Sequence, residues 1–550
     1  MGLAQSWSIA LVGLDGHAVE VEADIAQGLP KTTLIGLPDA ALSEARDRVR
    51  AAITNSGQEF PNRKLTVALS PATLPKAGSH YDIAIACAVL AAEGAVPTDP
   101  LKHIALVGEL SLDGRVREVR GALAMTLAAA TAGFAHVVVP ELNAAEAMLV
   151  PDVTVLGVRT LRQVIAILRG DPIPDEPEPR AEARLIPEGL GYGACDVDLR
   201  DVIGQQEGRF AIEVAAAGGH HVYLHGPPGS GKTMLAERLP GLLPDLDTGD
   251  SLEVSTVHSM AGLLTGEAQL VTRPPYIAPH HTASLASLAG GGSGLPRPGA
   301  ISCAHRGVLF IDEAAEMHPM TLDTLRQPLE SGYIELHRSH ATAKFPARFL
   351  LVMAANPCPC GMADTPHARC ECPREVIRRY RNRISAPIKD RIDIKRQMLP
   401  MTTIGLSQAL AGTEDTSIVA ARVHAARDRQ SRRFDGRDWQ LNSEIPGGVL
   451  RREFGLEQGG YDEIEEHYRT GRLTARGVDR VLRLCWTLAD LWGDDRPGDR
   501  HVEVACQLRL GLALTPQRPL RPHHPMPAAS ADGQRADQGQ NASGELRRAG

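Results

Sequence analysis

Gly226-Pro227-Pro228-Gly229-Ser230-Gly231-Lys232-Thr233 carries the G-x4-G-K-[ST] pattern of a phosphate-binding loop. The apolar run His221-Val222-Tyr223-Leu224 precedes it and reads as a strand, and Met234–Leu239 opens a helix behind it. That strand–loop–helix order is the context the pattern needs. The glycines allow torsions that aim backbone N–H groups at phosphate oxygens. Lys232 is placed to neutralise the β- and γ-phosphates, and Thr233 to ligate Mg²⁺ through its hydroxyl. The helix N-terminus adds a field that favours anions. ATP is the expected ligand, on an α/β core.

The second half of such a site is an apolar strand ending in acid. Val308-Leu309-Phe310-Ile311-Asp312-Glu313 supplies it about 80 residues on. Asp312 is expected in the Mg²⁺ shell and Glu313 to polarise the attacking water. A third strand, Phe349–Ala355, ends at Asn356, whose amide either orients water near the γ-phosphate or caps the strand end.

The 550 residues allow roughly three or four domains of about 100–200 residues each. Aromatic residues are only 4%, so the cores must be built from Ala, Val, Leu and Ile. A net charge of −8 excludes a wholesale polycation but leaves room for local basic patches. No basic-then-apolar leader opens the chain. Gly121–Pro140 lacks Asp, Glu, Lys and Arg and is about as long as a bilayer span. Its hydrophobicity is weak on transfer scales. With Gly133 inside it and Val137-Val138-Val139-Pro140 at its end, it predicts a helix, a glycine stop and a short buried strand. No membrane partner is expected, and nine cysteines without a leader suit a reducing cytoplasm.

Residues 1–170 alternate short strands (Ser8–Val12, Ala18–Ile25, Leu65–Leu69, Ile104–Val107) with helices (Asp39–Asn55, Asp82–Glu93). Asp113-Gly114 marks a hairpin turn within Ser111–Val116. Residues 171–190 are rich in Pro and charge and read as a linker. Residues 191–400 hold the ATPase core. Residues 401–512 read as a helical lid, with strong helices at Thr416–Arg429 and Thr474–Leu491. Residues 513–550 read as a disordered tail.

These motifs resemble the magnesium-chelatase-like AAA+ proteins of the YifB/ComM type. The phosphate loop, Ala304–Glu313 and Asn356-Pro357-Cys358-Pro359-Cys360-Gly361 carry the resemblance, with Leu325–Glu330 and Arg379–Ser385. It covers residues 1 to about 512. It implies an AAA+ fold with a small helical lid, usually in a hexameric ring whose neighbours insert an arginine at the γ-phosphate. Asp390-Arg391-Ile392-Asp393 matches the segment that carries this finger, so Arg391 is the first choice and Arg383 the second. Arg476, in Thr474-Ala475-Arg476, matches a sensor arginine that reads nucleotide in cis. Without the resemblance, each arginine would read as a surface ion pair.

Residues 1–170 further resemble the Lon proteolytic domain, a ribosomal S5 domain 2-like fold. Lon peptidases pair a serine with a lysine base. Lys76-Ala77-Gly78-Ser79-His80-Tyr81-Asp82 puts His80 in the serine's slot, and Gly121–Ala128, where the base should fall, has no lysine. A catalytically inert domain is expected.

Cys358-x-Cys360 and Cys370-x-Cys372 form a C-x-C-x9-C-x-C array, suited to structural Zn²⁺ or left as four reduced thiols. Gly332–Phe349 reads as a hairpin carrying Arg338, His340 and Lys344, a candidate DNA contact in a ring pore. Gly290-Gly291-Gly292-Ser293-Gly294, flanked by His280-His281 and His305-Arg306, is a second loop of that kind, or a plain flexible turn. The arginine-rich run Arg374–Arg383 is either a solvated face or a DNA contact. The expected function is an ATP-driven ring motor, a DNA helicase or translocase promoting branch migration in recombination or natural transformation. The alternatives are an AAA+ protein-remodelling chaperone and a non-motor chelatase-type ATPase.

Overall fold

The computed structural model describes residues 2–36, 40–76, 78–178, 197–264, 269–292, 296–337, 342–363, 369–400, 413–456 and 460–514. Most of the expected linker (179–190) and nearly all of the tail (515–550) lie outside these residues.

The amino-terminal part is built on a seven-stranded sheet. Its order is Lys31–Ile35, Lys64–Ser70, Asp15–Ala26, Gly2–Val12, Ile104–Leu106, His136–Pro140, Thr154–Val158. Gly2–Val12 and Asp15–Ala26 form one antiparallel hairpin, paired from Gly2↔Ile25 to Val12↔Asp15. Both strands run longer than their apolar windows because polar residues in them find partners. Gln5 donates to Glu22 across the pair (3.1 Å), and the Ser6 hydroxyl donates to the Ala84 carbonyl (2.8 Å). The uncharged window 121–140 divides into the helix Ala122–Thr131, Gly133 at φ +89°, and the strand His136–Pro140. Among the described residues no helix is long and apolar enough to cross a membrane.

The ATPase part is a five-stranded parallel sheet in the order Tyr276–Ile277, Val308–Ile311, Leu350–Ala355, Val222–His225, Ile394–Gln397. Its central strands are short and apolar because both faces are covered. Successive side chains point to opposite faces. Val222, Leu224, Val308, Phe310, Val352 and Ala354 therefore enter a core shared with the carboxy-terminal helices, including Val423, Leu484 and Leu508. Leu309, Ile311, Leu351 and Met353 enter a second core that also takes in Ile9, Leu11, Met125 and Val137 of the amino-terminal part. The two sheets are thus joined through a common core, and Met1–Thr515 pack as one unit.

In the helical region Thr416–Arg433 starts at Asp415, whose carboxylate accepts from the Ile418 N–H (3.0 Å). Ala475–Trp492 starts at Thr474, whose hydroxyl accepts from the Gly477 N–H (3.1 Å), and stops at Gly493, φ +85°. The first of these helices outruns its apolar pattern. Its last turn is polar but anchored: Gln430 donates to the Ala217 carbonyl (2.9 Å), and Arg433 pairs with the buried Asp490.

His220 and His258 are fully buried and His221 is partly so, and desolvation pushes each imidazole down to about 4. Each is used neutral. His221 Nδ1 accepts from the Leu351 N–H (3.1 Å), His220 Nε2 lies 2.7 Å from the Thr487 hydroxyl, and His258 Nε2 donates to the Cys303 carbonyl (2.8 Å). In the unfolded chain these groups titrate near 6.5. Below that pH the unfolded state binds protons the folded state does not, so stability falls on acidification. Between about pH 6.5 and 4 the three contribute up to roughly 4 kcal/mol per pH unit. Urea unfolding midpoints compared at about pH 7.5 and about pH 5.5 check this. An equal or higher midpoint at the lower pH would contradict it.

Candidate nucleotide site

The phosphate loop leaves the strand Val222–His225 at its carboxyl end, and the Gly226 N–H donates to the Ala355 carbonyl (3.2 Å). Gly229 (φ +72°) and Gly231 (φ +87°) are left-handed, and a Cβ at either would meet nothing within 4 Å. The loop backbone therefore borders open space. The helix Lys232–Arg238 begins at once. The Lys232 ammonium donates to the carbonyls of Gly226 (2.8 Å) and Pro227 (2.9 Å) and to Asn356 Oδ1 (3.2 Å). Burial lowers its pKa, against the pull of Asp312 and Glu313. A cation held only by carbonyls and an amide is suited to an anionic ligand.

The Thr233 hydroxyl donates to Asp312 Oδ2 (2.8 Å), and Asp312 Oδ1 accepts from the Glu313 N–H (2.8 Å). Hydroxyl and carboxylate are thus adjacent oxygens of the kind that Mg²⁺ takes. Glu313 sits at φ +47°, a region sparsely used by residues with a side chain. Its carboxylate meets His281 Nδ1 at 3.0 Å. The His281 ring lies against that of His280 (4.1 Å), which bonds Thr282 through Nδ1 (2.7 Å). The sequence offered His281 only as a flank of the glycine-rich run. Its place beside Glu313 depends on Tyr276–Ile277 pairing with Val308–Ile311, which spacing alone does not reveal.

The arginines separate. Arg383 stays near the phosphate edge, bonded to the Ala315 carbonyl (3.1 Å) and Glu316 (2.9 Å). Arg391 and Arg476 lie at the amino-terminal edge of the sheet. Arg391 is 8% exposed and ion-paired with Glu330. Arg476 is 67% exposed, 3.6 Å from the same Glu330. One turn on, Arg480 pairs with Asp393, which also accepts from the His221 N–H (2.9 Å) at the start of the strand Val222–His225. A four-residue strand at ~3.3 Å per residue puts about 13 Å of sheet between that edge and Gly226. The cis role expected of Arg476 therefore does not fit, because strand polarity sets it on the far side of its own sheet. Arg391 is also more enclosed than an exposed finger.

The four cysteines converge. Their Sγ atoms lie within 4.8 Å of one another. The hairpin pairs Tyr333–His337 with Thr342–Pro346, and the Lys344 ammonium sits 3.7 Å from the Tyr333 ring centroid. Arg338, His340, Ser293 and Gly294 lie outside the described residues, while Gly290–Gly291 pairs with Arg297–Pro298. In Arg374–Arg381, Arg378 and Arg379 border a surface cleft with Arg383, whereas Arg381 donates to the Pro357 carbonyl (3.0 Å). In the amino-terminal part Ser79 donates to Glu109. Lys76 is spent on the carbonyls of Pro71 (2.5 Å) and Leu74 (3.2 Å).

Strand order, phosphate loop and the Thr233–Asp312 pair define a P-loop ATPase of the AAA+ class. Residues 198–405 match the family described as magnesium chelatase, subunit ChlI, residues 21–143 that of subunit ChlI of Mg-chelatase, and residues 413–509 its C-terminal part. The chain is 51% identical over 509 residues to an uncharacterised protein of Mycobacterium tuberculosis (92% of this chain, 99% of that one). It is 40% identical to YifB of Escherichia coli (92% and 97%) and 37% identical to competence protein ComM of Haemophilus influenzae (94% and 99%). The chain belongs to the magnesium-chelatase-like YifB/ComM family. A shorter stretch of 191 residues, 33% of this chain, is 27% identical to Lon protease 2 of Bacillus subtilis, covering 30% of that protein.

The family implies ATP and Mg²⁺, and the residues fit both. Bound Mg²⁺ supplies charge neutralisation at the phosphates, with Thr233 and Asp312 to hold it. Replacing Lys232 by Ala should weaken ATP binding about tenfold to a hundredfold, the worth of its charged hydrogen bonds. Glu313→Gln should keep binding and lower turnover about a hundredfold or more, as loss of a general base does. Fluorescent-nucleotide titration and phosphate release check the pair. Normal turnover by Glu313→Gln would remove Glu313 from the chemistry.

Proposed function

We propose that the chain is the subunit of an ATP-driven ring, most simply a hexamer, that moves on DNA as a helicase or translocase and promotes branch migration in recombination or natural transformation. One observation carries the ring: the Lys232–Thr233–Asp312 group and the Arg391–Arg476 pair occupy opposite edges of one sheet. Copies stacked head to tail bring one edge of each subunit against the other edge of the next, and such interfaces form a ring when the rotation between copies closes. In that ring Lys232 and Thr233 bind nucleotide with Mg²⁺, Glu313 polarises water, Asn356 orients it, and Arg391 and Arg476 serve the neighbour's site. Glu330 holds both arginines until they are taken up. The reading takes 1–170 as an inert Lon-like domain, 191–400 as the ATPase core and 401–512 as the lid, working in the cytoplasm.

DNA as the track is supported by the relative named a competence protein and by Lys344 on the hairpin, with Arg338 and His340 in the sequence between its two strands. The second reading, a protein-remodelling AAA+ machine, is favoured by the Lon-like part, whose Ser79 is bonded to Glu109 rather than to a lysine.

Lys232→Ala and Arg391→Ala subunits should each be inactive alone and recover turnover when mixed, because a mixed interface joins an intact loop to an intact arginine. No recovery at any ratio would exclude the head-to-tail site. Branched DNA should stimulate turnover more than linear DNA. Arg338→Glu with Lys344→Glu should weaken DNA binding and lower its salt slope by about two. Absence of any DNA stimulation, with no strand displacement, favours protein remodelling.

A further inference from the structure

Cys358, Cys360, Cys370 and Cys372 lie in the loop that follows Asn356, so the cysteine cluster begins where the nucleotide site ends. The Sγ separations are 3.2 Å (Cys358–Cys360), 3.7 Å (Cys358–Cys370) and 3.6 Å (Cys360–Cys370). A tetrahedral zinc with Zn–S near 2.3 Å requires S···S edges of about 3.8 Å. A disulfide requires about 2.05 Å. The cluster has the first spacing and not the second, and all four cysteines are free. The turn that carries the first two closes at Gly361, φ +78°, whose N–H donates to the Cys358 carbonyl (2.9 Å). The Ala363 N–H points at Cys358 Sγ (3.2 Å), the kind of outer hydrogen bond that supports a ligating thiolate.

The same turn touches the phosphate loop. A Cβ on Gly361 would lie 2.5 Å from Pro228 Cδ. Pro227 and Pro228 have no N–H to donate; the Pro227 carbonyl accepts from Lys232 (2.9 Å) and the Ser230 hydroxyl (2.8 Å), and packing positions the Pro228 ring. Gly361 supplies that packing from one side. The Gly226 N–H to Ala355 and the Lys232 bond to Asn356 tie the loop to the strand from which the cysteine loop departs.

We propose that the four cysteines bind one Zn²⁺, releasing their thiol protons, and that this zinc clip sets the position of the Pro227–Pro228 arm and so the affinity for nucleotide. The coupling rests on the phosphate loop binding nucleotide, but the metal site does not. Metal content must be assigned by variant, because Glu463, His467 and Cys506 form a second group of three ligand types.

The test uses the full chain, prepared without chelator or added metal, with zinc measured by plasma mass spectrometry and nucleotide affinity by titration with a fluorescent ADP without DNA. The wild type should hold about one zinc per chain, and Cys370→Ser with Cys372→Ser should hold almost none. That variant should bind nucleotide about tenfold more weakly. Gly361→Ala keeps all four thiols, so it should retain zinc and yet lose affinity through Pro228. This separates the clip from any folding defect of the cysteine variant. Wild-type chains with four reduced thiols and well under one zinc overturn the metal site. Zinc lost in the cysteine variant with its nucleotide affinity unchanged overturns the coupling. Stoichiometric zinc in a wild type that binds no nucleotide sinks the phosphate-loop reading and the coupling, and leaves the metal site standing.

Discussion

The five strands of the ATPase sheet all run in one direction, and that polarity sorts the chemistry. Ligand groups on parallel sheets gather beyond the carboxyl ends of the strands. Here those ends deliver Gly226–Thr233, Asp312 and Asn356 to one edge, close enough for Lys232 to bond Asn356 and Thr233 to bond Asp312. The amino ends deliver His221 and Asp393 to the other edge, where the carboxy-terminal helices present Arg476 and Arg480. No side-chain rotation brings the two groups together within one chain. The central strands are apolar on both faces and fully enclosed, so neither their direction nor their register is free to change.

At the amino edge one buried carboxylate fixes how the helical region meets the sheet. Asp393 is 1% exposed and held well below the usual carboxylate range: burial raises it, and Arg480 and the neighbouring histidines more than offset that. A buried charge of this kind is stable only while its partner stays, because losing one member leaves the other uncompensated. Arg480 reaches Asp393 from the helix Ala475–Trp492, and Arg476 lies one turn earlier on the same face. The position of Arg476 is thus set by the anchor behind it and not by Glu330, which is half exposed and makes a weaker hold.

How much of this was legible depended on whether the chemistry was contiguous. The phosphate loop, the strand ending at Asp312-Glu313 and the strand ending at Asn356 are each read within a few residues, and the fold brings them together. The C-x-C pairs also announce themselves by spacing. His281 does not, because its relation to Glu313 crosses from one strand to its neighbour. Nor does the placement of Arg476: a motif match gives a residue's order in the chain, whereas cis or trans depends on which end of a sheet its helix packs against. The polar last turn of Thr416–Arg433 was invisible for a related reason. Gln430 and Arg433 break the apolar period, and their partners Ala217 and Asp490 are remote in sequence.

The amino-terminal part is tied to the ATPase part by packing on both its sheet and its first hairpin. Its apolar residues Ile9, Leu11, Met125 and Val137 belong to the same core as Leu309 and Met353 beneath the nucleotide site. At its edge, Gly13 (φ +67°) turns the first hairpin so closely against the ATPase hairpin that a Cβ would lie 2.7 Å from the Lys344 carbonyl oxygen. A side chain at Gly13 would be strained by its torsion and would displace the returning strand of that hairpin. What constrains this sequence is therefore packing. Ser79, bonded to Glu109, and Lys76, facing two carbonyls, carry no comparable demand. The core would tolerate a change at either of those polar groups, while the glycine at the contact is fixed by the space available to it.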